Sequence, residues 1–135
     1  MGLKTLLVER NMFPNDASIR NFGMVVQSIV EADSEWSAFA RDSREIYKSI
    51  QQEHDISVRV TGSLYIASTE IERIVLEEFA QAYSLAYNCS YLDAGEALYR
   101  YPFIQASYCQ GALLFRDDLT LCLLTTFIKC FILEK

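Results

Sequence analysis

The residues best suited to chemistry lie at the start of the chain. The apolar run Leu6-Leu7-Val8 ends on Glu9-Arg10, and a stretch of small and polar residues, Ala17-Ser18-Ile19-Arg20-Asn21-Phe22-Gly23, follows. A carboxylate offers two acceptor oxygens, which match the two hydroxyl donors of a vicinal diol. In a dinucleotide-binding βαβ unit the second strand ends this way, on an acid that binds the ribose hydroxyls. A strand-end glutamate exposed to solvent is the other reading of Glu9. The Gly-rich turn that cradles a pyrophosphate belongs about 20 residues before such an acid. Only eight residues precede Glu9. On this reading the sequence opens within a cofactor domain.

The elements that must position these residues follow from local pattern. Thr5 to Val8 reads as a short buried strand, and 11–16, with Pro14 and two Asn, as loop. Ser34 caps a helix to about Glu53, with Trp36, Phe39, Ala40, Ser43, Tyr47 and Ile50 as its apolar face. Ile56–Val60 alternates as a strand, Thr61-Gly62 turns or bulges, and Ser63–Ala67 is a second strand. Thr69-Glu70-Ile71-Glu72 is a capping box that opens a helix to about Tyr87. Its expected buried face is Ile71, Ile74, Val75, Phe79, Ala82 and Ala86. A second box, Asp93-Ala94-Gly95-Glu96, opens a short helix that must close before Pro102. Tyr108–Phe115 reads as strand, with Gly111 marking a bulge or a close backbone approach. Alternating helices and strands make the class mixed α/β.

Composition narrows the partners. The chain has 135 residues, 51% hydrophobic and 22% charged, the balance of one globular domain. A net charge of −6 without a basic run argues against nucleic-acid binding. Cys89, Cys109, Cys122 and Cys130 are spaced by 20, 13 and 8 residues, which matches no zinc or redox motif. With no signal-peptide pattern, reduced thiols and a cytoplasmic location are expected. The single His54 has no partner for metal binding or catalysis in view. Leu119–Leu133 is apolar, but its 15 residues include Lys129 and fall short of the roughly 20 that a membrane span needs.

Leu6–Arg10 and Ala17–Val26 together resemble the FAD-dependent oxidoreductases of the D-amino-acid oxidase, glycine oxidase and sarcosine oxidase superfamily. The Ala-Ser-x-Arg-Asn-Phe-Gly run after Glu-Arg is similar to a bacterial branch of it. Thr61–Ala67, Leu92–Ala97, Pro102 and Gly111–Phe115 extend the likeness, which covers roughly residues 2–119. From Leu121 the fit fails, and a Pro common after the last strand is missing. The resemblance implies a truncated member, joining a partial Rossmann-like FAD-binding segment (1–33) to part of a substrate-domain sheet (34–119), with a divergent apolar tail (120–135). It implies a cofactor site of Glu9, Arg10, Ala17, Ser18, Arg20, Asn21 and Gly23. In it Glu9 takes the ribose diol, and Arg10 lies near adenine or is simply an exposed cation. Small residues let the backbone approach the flavin. Ser18 and Asn21 donate to phosphate or flavin oxygens, and Arg20 meets a phosphate or a substrate carboxylate. The bland reading of the loop is a loop–helix junction with Ser18 as N-cap. The implied reaction is oxidative deamination of a small amine or amino acid by hydride transfer to FAD. No general base is found, and none is needed, since the flavin carries the chemistry. The rival is a non-enzymatic α+β interaction module or degraded gene product, self-associating through exposed apolar faces.

Overall fold

The computed structural model describes Lys4, Leu6, Val8, Arg10, Asn11, Asp16, Ala17, residues 19–28 and 30–123, Thr125 and Thr126. Local signals set most element ends. Ser34 accepts the Ser37 N–H and starts α1, Glu35–Glu53, which closes on His54. Thr69 and Glu72 form the reciprocal capping box of α2, Glu70–Tyr87. Glu72 receives the Ser68 hydroxyl at 2.8 Å, the Ser68 N–H at 2.7 Å and the Thr69 N–H at 3.1 Å. These donors, the Ser68 hydroxyl foremost, hold its carboxyl below the usual glutamate range. Asn88 ends α2 in the left-handed conformation, φ 46°, which a short amide side chain tolerates. Asp93 caps α3, Ala94–Arg100, by accepting the Glu96 N–H at 2.8 Å. Glu96 pairs forward with Arg100 at 2.6 Å.

Among the described residues, six strands form two antiparallel sheets. β1 (Met24–Val25), β6 (Leu119–Leu121) and β2 (Val58–Val60) make the first, with β6 in the centre. Its register sets Met24 opposite Thr120 and Val58 opposite Leu121. β3 (Ser63–Ala67), β5 (Gly111–Phe115) and β4 (Cys89–Asp93) make the second, with β5 in the centre. Its register sets Ser63 opposite Phe115 and Tyr91 opposite Leu113. Ile56–Val60 and Ser63–Ala67 therefore both supply sheet strands, as expected, but to different sheets. β5 is shorter at its start than the strand expected over Tyr108–Phe115, because Ala106–Tyr108 is a turn of 3-10 helix. Gly111 marks a close approach: a Cβ there would lie 2.3 Å from the Tyr91 hydroxyl. Among the described residues, no helix is long and apolar enough to cross a membrane.

Three expectations need correction. Leu6 and Val8 are 88% and 79% exposed and lie in no strand. A buried strand of a parallel sheet needs neighbours on both sides. None of the strands among the described residues pairs with this segment. On α2, Ile71, Ile74, Val75, Ala82 and Ala86 are exposed. The covered face is Leu76, Phe79, Ala80, Tyr83 and Tyr87, packed on Cys89, Leu113 and Phe115. Phe79 sits 5.4 Å from Tyr87 and 5.9 Å from Phe115, ring to ring. Aromatic side chains bury more area than Ile or Val and win the contact with the sheet. On α1, only Ala40 and Tyr47 of the expected face are partly covered, while Trp36, Phe39, Ser43 and Ile50 are exposed. Tyr47 packs on the second core cluster, Ile56, Val58, Leu119 and Leu121.

Candidate cofactor site

The candidate loop is built on short-range hydrogen bonds. The Asp16 carbonyl accepts the N–H groups of Ile19 at 3.1 Å and Arg20 at 3.2 Å, which winds one tight turn. Asn21 then closes the loop with both ends of its side-chain amide. Its Nδ2 donates to the Ala17 carbonyl at 3.0 Å, and its Oδ1 accepts the Gly23 N–H at 2.8 Å. The second contact is an Asx turn, the local device that suits Asn to loops. Arg10 reaches Asp16 at 3.6 Å, with both side chains well exposed, so the pair contributes little energy. Arg20 is exposed. Ala17, Asn21 and Gly23 are thus brought together, and Arg10 is joined to them through Asp16. Glu9 and Ser18 lie outside the described residues.

Gly23 is where the loop meets the sheet. Its φ is +63°, and its carbonyl accepts the Leu121 N–H at 2.8 Å. A Cβ there would stand 2.1 Å from the Leu121 carbonyl oxygen. The missing side chain therefore makes room for β6.

The exit of the loop is clamped by a residue that local pattern did not single out. Asp118 is 2% exposed. Its Oδ1 accepts the backbone N–H of Gln27 at 3.1 Å, and its Oδ2 accepts the hydroxyls of Ser28, at 2.8 Å, and Ser63. Its own carbonyl takes the Gly62 N–H at 2.9 Å. The Ser28 hydroxyl also meets the Tyr65 hydroxyl at 2.9 Å, and Gln27 Nε2 donates to Ser37 at 3.2 Å. Tyr87 completes the clamp by donating to the Val30 carbonyl at 2.9 Å. Burying a carboxylate is costly unless donors converge on it. Here three donors converge from two separate stretches of chain, 27–28 and 63. Nothing in the local sequence marks Asp118 as internal, and only the arrival of Gln27, Ser28 and Ser63 makes it so.

Arg10 and Arg20 are exposed on this segment, and exposed guanidinium groups can pair with anionic oxygens. The Asn21 amide and the Gly23 Cα are already engaged in holding the loop.

The profile of the family described as FAD dependent oxidoreductase matches residues 1–124. No curated protein matches the sequence. Among solved structures, glycine oxidase from Geobacillus kaustophilus superposes with a TM-score of 0.73 at 23% identity, covering 84% of this chain and 32% of that one. Glycine oxidase from Bacillus cereus gives 0.69 at 19% identity, covering 85% and 34%. The L-alpha-glycerophosphate oxidase of Mycoplasma pneumoniae, solved with FAD bound, gives 0.69 at 15%, covering 85% and 31%. The chain thus spans about a third of the length of the oxidases whose fold it shares. The family profile runs through the loop, the clamp on its exit and both sheets, and the chain belongs to the FAD dependent oxidoreductase family.

Proposed function

We propose that this chain carries the flavin-loop part of a FAD-dependent amine or amino-acid oxidoreductase. In this reading residues 1–33 belong to the cofactor side, 34–119 to the substrate side and 120–135 to a divergent tail. The observation that supports it most is the family match over residues 1–124, which includes the loop closed by Asn21. Two of the solved structures of similar fold are glycine oxidases, which favours an amine substrate. FAD, when bound, supplies the acceptor for a hydride from a C–N carbon. The chain's own residues bind and orient. Glu9 holds the ribose hydroxyls, while Arg10 and Arg20 neutralise phosphate. Ala17 and Ser18 let the backbone pass close beneath the ligand, and Asn21 and Gly23 fix the loop's shape and its seat on β6. Asp118, through Gln27 and Ser28, sets where the loop stands relative to the substrate-side sheet.

The isolated chain does not hold FAD tightly. Most pyrophosphate affinity in such a site comes from backbone amides of the Gly-rich turn and the helix after it. The sequence contains no Gly-x-Gly-x-x-Gly. Two charge-assisted hydrogen bonds accepted by Glu9 contribute at most about 6 kcal/mol, the exposed Arg10 and Arg20 add little in solvent, and ordering costs subtract, against the roughly 8 kcal/mol that micromolar binding needs. Titration of the purified chain with FAD, followed by flavin fluorescence, tests this. The expected result is no saturation in the micromolar range and no peroxide release from glycine or D-amino acids. Micromolar binding would overturn the inactivity. Loss of all response to FAD even when a second polypeptide supplies a Gly-rich βα unit would overturn the cofactor role.

A second reading, an interaction module without activity of its own, is favoured by the exposed apolar faces of α1 and α2. A colourless purified protein that binds a partner polypeptide would support it.

A further inference from the structure

Helix α1 carries two apolar strips, and the described residues cover only one. At 100° per residue, Ser37, Ala40 and Tyr47 share the side that packs against β1 and β2. Trp36, Phe39, Ser43, Ile46 and Ile50 share a neighbouring side. Trp36 is 72% exposed, Phe39 and Ile46 59% and Ile50 38%. Their spacing has a strict seven-residue repeat, 36-43-50 and 39-46. That is the a/d spacing by which one helix seats another. The Trp36 and Phe39 rings already meet edge-on, with centroids 6.1 Å apart. The border of the strip away from the sheet is Glu35, Asp42, Ser49 and Glu53, all exposed, with three acids and no base.

We propose that this strip is the docking surface for an α-helix of another polypeptide, whose apolar seam is bordered by Lys or Arg. The seven-residue repeat selects a helix as occupant. The acidic border selects a basic one, since opposite charges along a seam set partner choice. A second copy of the chain suits the strip poorly. Antiparallel pairing of α1 with itself sets the acidic borders face to face. Parallel pairing brings the partner's border to the Ala40 and Tyr47 side, which the chain's own sheet occupies. The acidic border likewise opposes an anionic lipid surface.

Trp36 is the sole tryptophan, so its emission reports cover on the strip directly. The probes are two synthetic helical peptides with the same Leu/Ile heptad seam, one bordered by Lys and one by Glu. The Lys-bordered peptide is expected to shift Trp36 emission to the blue, saturably, and less so at high salt. The Glu-bordered peptide is expected to leave it in place. Ile46→Asp weakens the Lys-bordered peptide by about tenfold or more, equivalent to about 1.4 kcal/mol. Leu85→Asp, on the exposed side of α2, leaves binding unchanged. Ile46→Gln, with helix content checked by circular dichroism, separates loss of docking from loss of fold. Equal response to both peptides, or no response to the Lys-bordered one, overturns the proposal. So does a blue shift that grows with concentration of the chain alone, or one produced by neutral phosphatidylcholine vesicles. None of these outcomes depends on FAD, so this proposal and the cofactor reading can fail separately.

Discussion

Asp118→Ala is the most demanding perturbation of the structure described above. It removes the acceptor for the Gln27 N–H and for the hydroxyls of Ser28 and Ser63. The three donors do not suffer equally. Ser28 keeps the Tyr65 hydroxyl as a partner at 2.9 Å, and Ser63, only partly buried, turns to water. The Gln27 N–H has no such alternative, because its hydrogen bond to Asp118 is buried. A buried donor left unsatisfied costs about 1–3 kcal/mol, and hydrogen bonds to a charged group contribute about 1.5–3 kcal/mol each. Relief of the carboxylate's own desolvation offsets part of this. The net expectation is about 3 kcal/mol, a large share of the roughly 5–15 kcal/mol of a typical domain. Asp118→Asn is the control. Its oxygen still accepts from Gln27, and its amide donates to hydroxyls that accept as readily as they donate. It should cost less than half as much. Urea unfolding followed by far-UV circular dichroism measures both. Amide exchange at residues 23–28 shows whether the loss begins at the loop exit. An Ala variant within about 1 kcal/mol of wild type, or an Asn variant as damaging as Ala, would refute the reasoning.

Three further outcomes are expected. Gly23→Ala must move either the loop or β6, and with a left-handed residue and the Leu121 hydrogen bond both at stake it costs about 2–4 kcal/mol in the same unfolding assay. Hydrogen bonds from Ser68 and Thr69 depress the Glu72 carboxyl in the folded state. That contribution is complete above the ordinary glutamate range and is lost as pH falls through the depressed value. The start of α2 should therefore loosen on the acid side, and Glu72→Gln should flatten that loss in a pH titration of helix content. Among the described cysteines, Cys122 is exposed, Cys89 and Cys109 are buried, and burial pushes the Cys89 thiol up. Iodoacetamide should label Cys122 first, by mass spectrometry, and faster labelling of Cys89 would contradict the packing of β4.

Sequence alone determined what short-range chemistry controls. Ser34, Thr69 with Glu72, and Asp93 each satisfy free amides within their own helix turn, so α1, α2 and α3 begin where their caps stand. Pro102 and Asn88 close helices for equally local reasons. The candidate loop, too, is held by bonds that span four residues or fewer, from Asp16 to Gly23. Tertiary structure decided everything that depends on distant partners. α2 has apolar residues on both sides, and only contact with Leu113 and Phe115 set Tyr83 and Tyr87 beside the expected Phe79 in place of Ile71, Ile74 and Val75. β1 and β6 are two and three residues long, too short to signal strand by alternation, and they exist because Met24 meets Thr120 and Val25 meets Leu119. β4 lies between the Asn88 cap and the Asp93 cap, and its pairing with β5 is what makes it a strand. Leu6 and Val8 show the converse: strand-forming residues without paired neighbours stay exposed. Asp118 is the sharpest case. Its burial rests on donors up to 91 residues away, which no local pattern records.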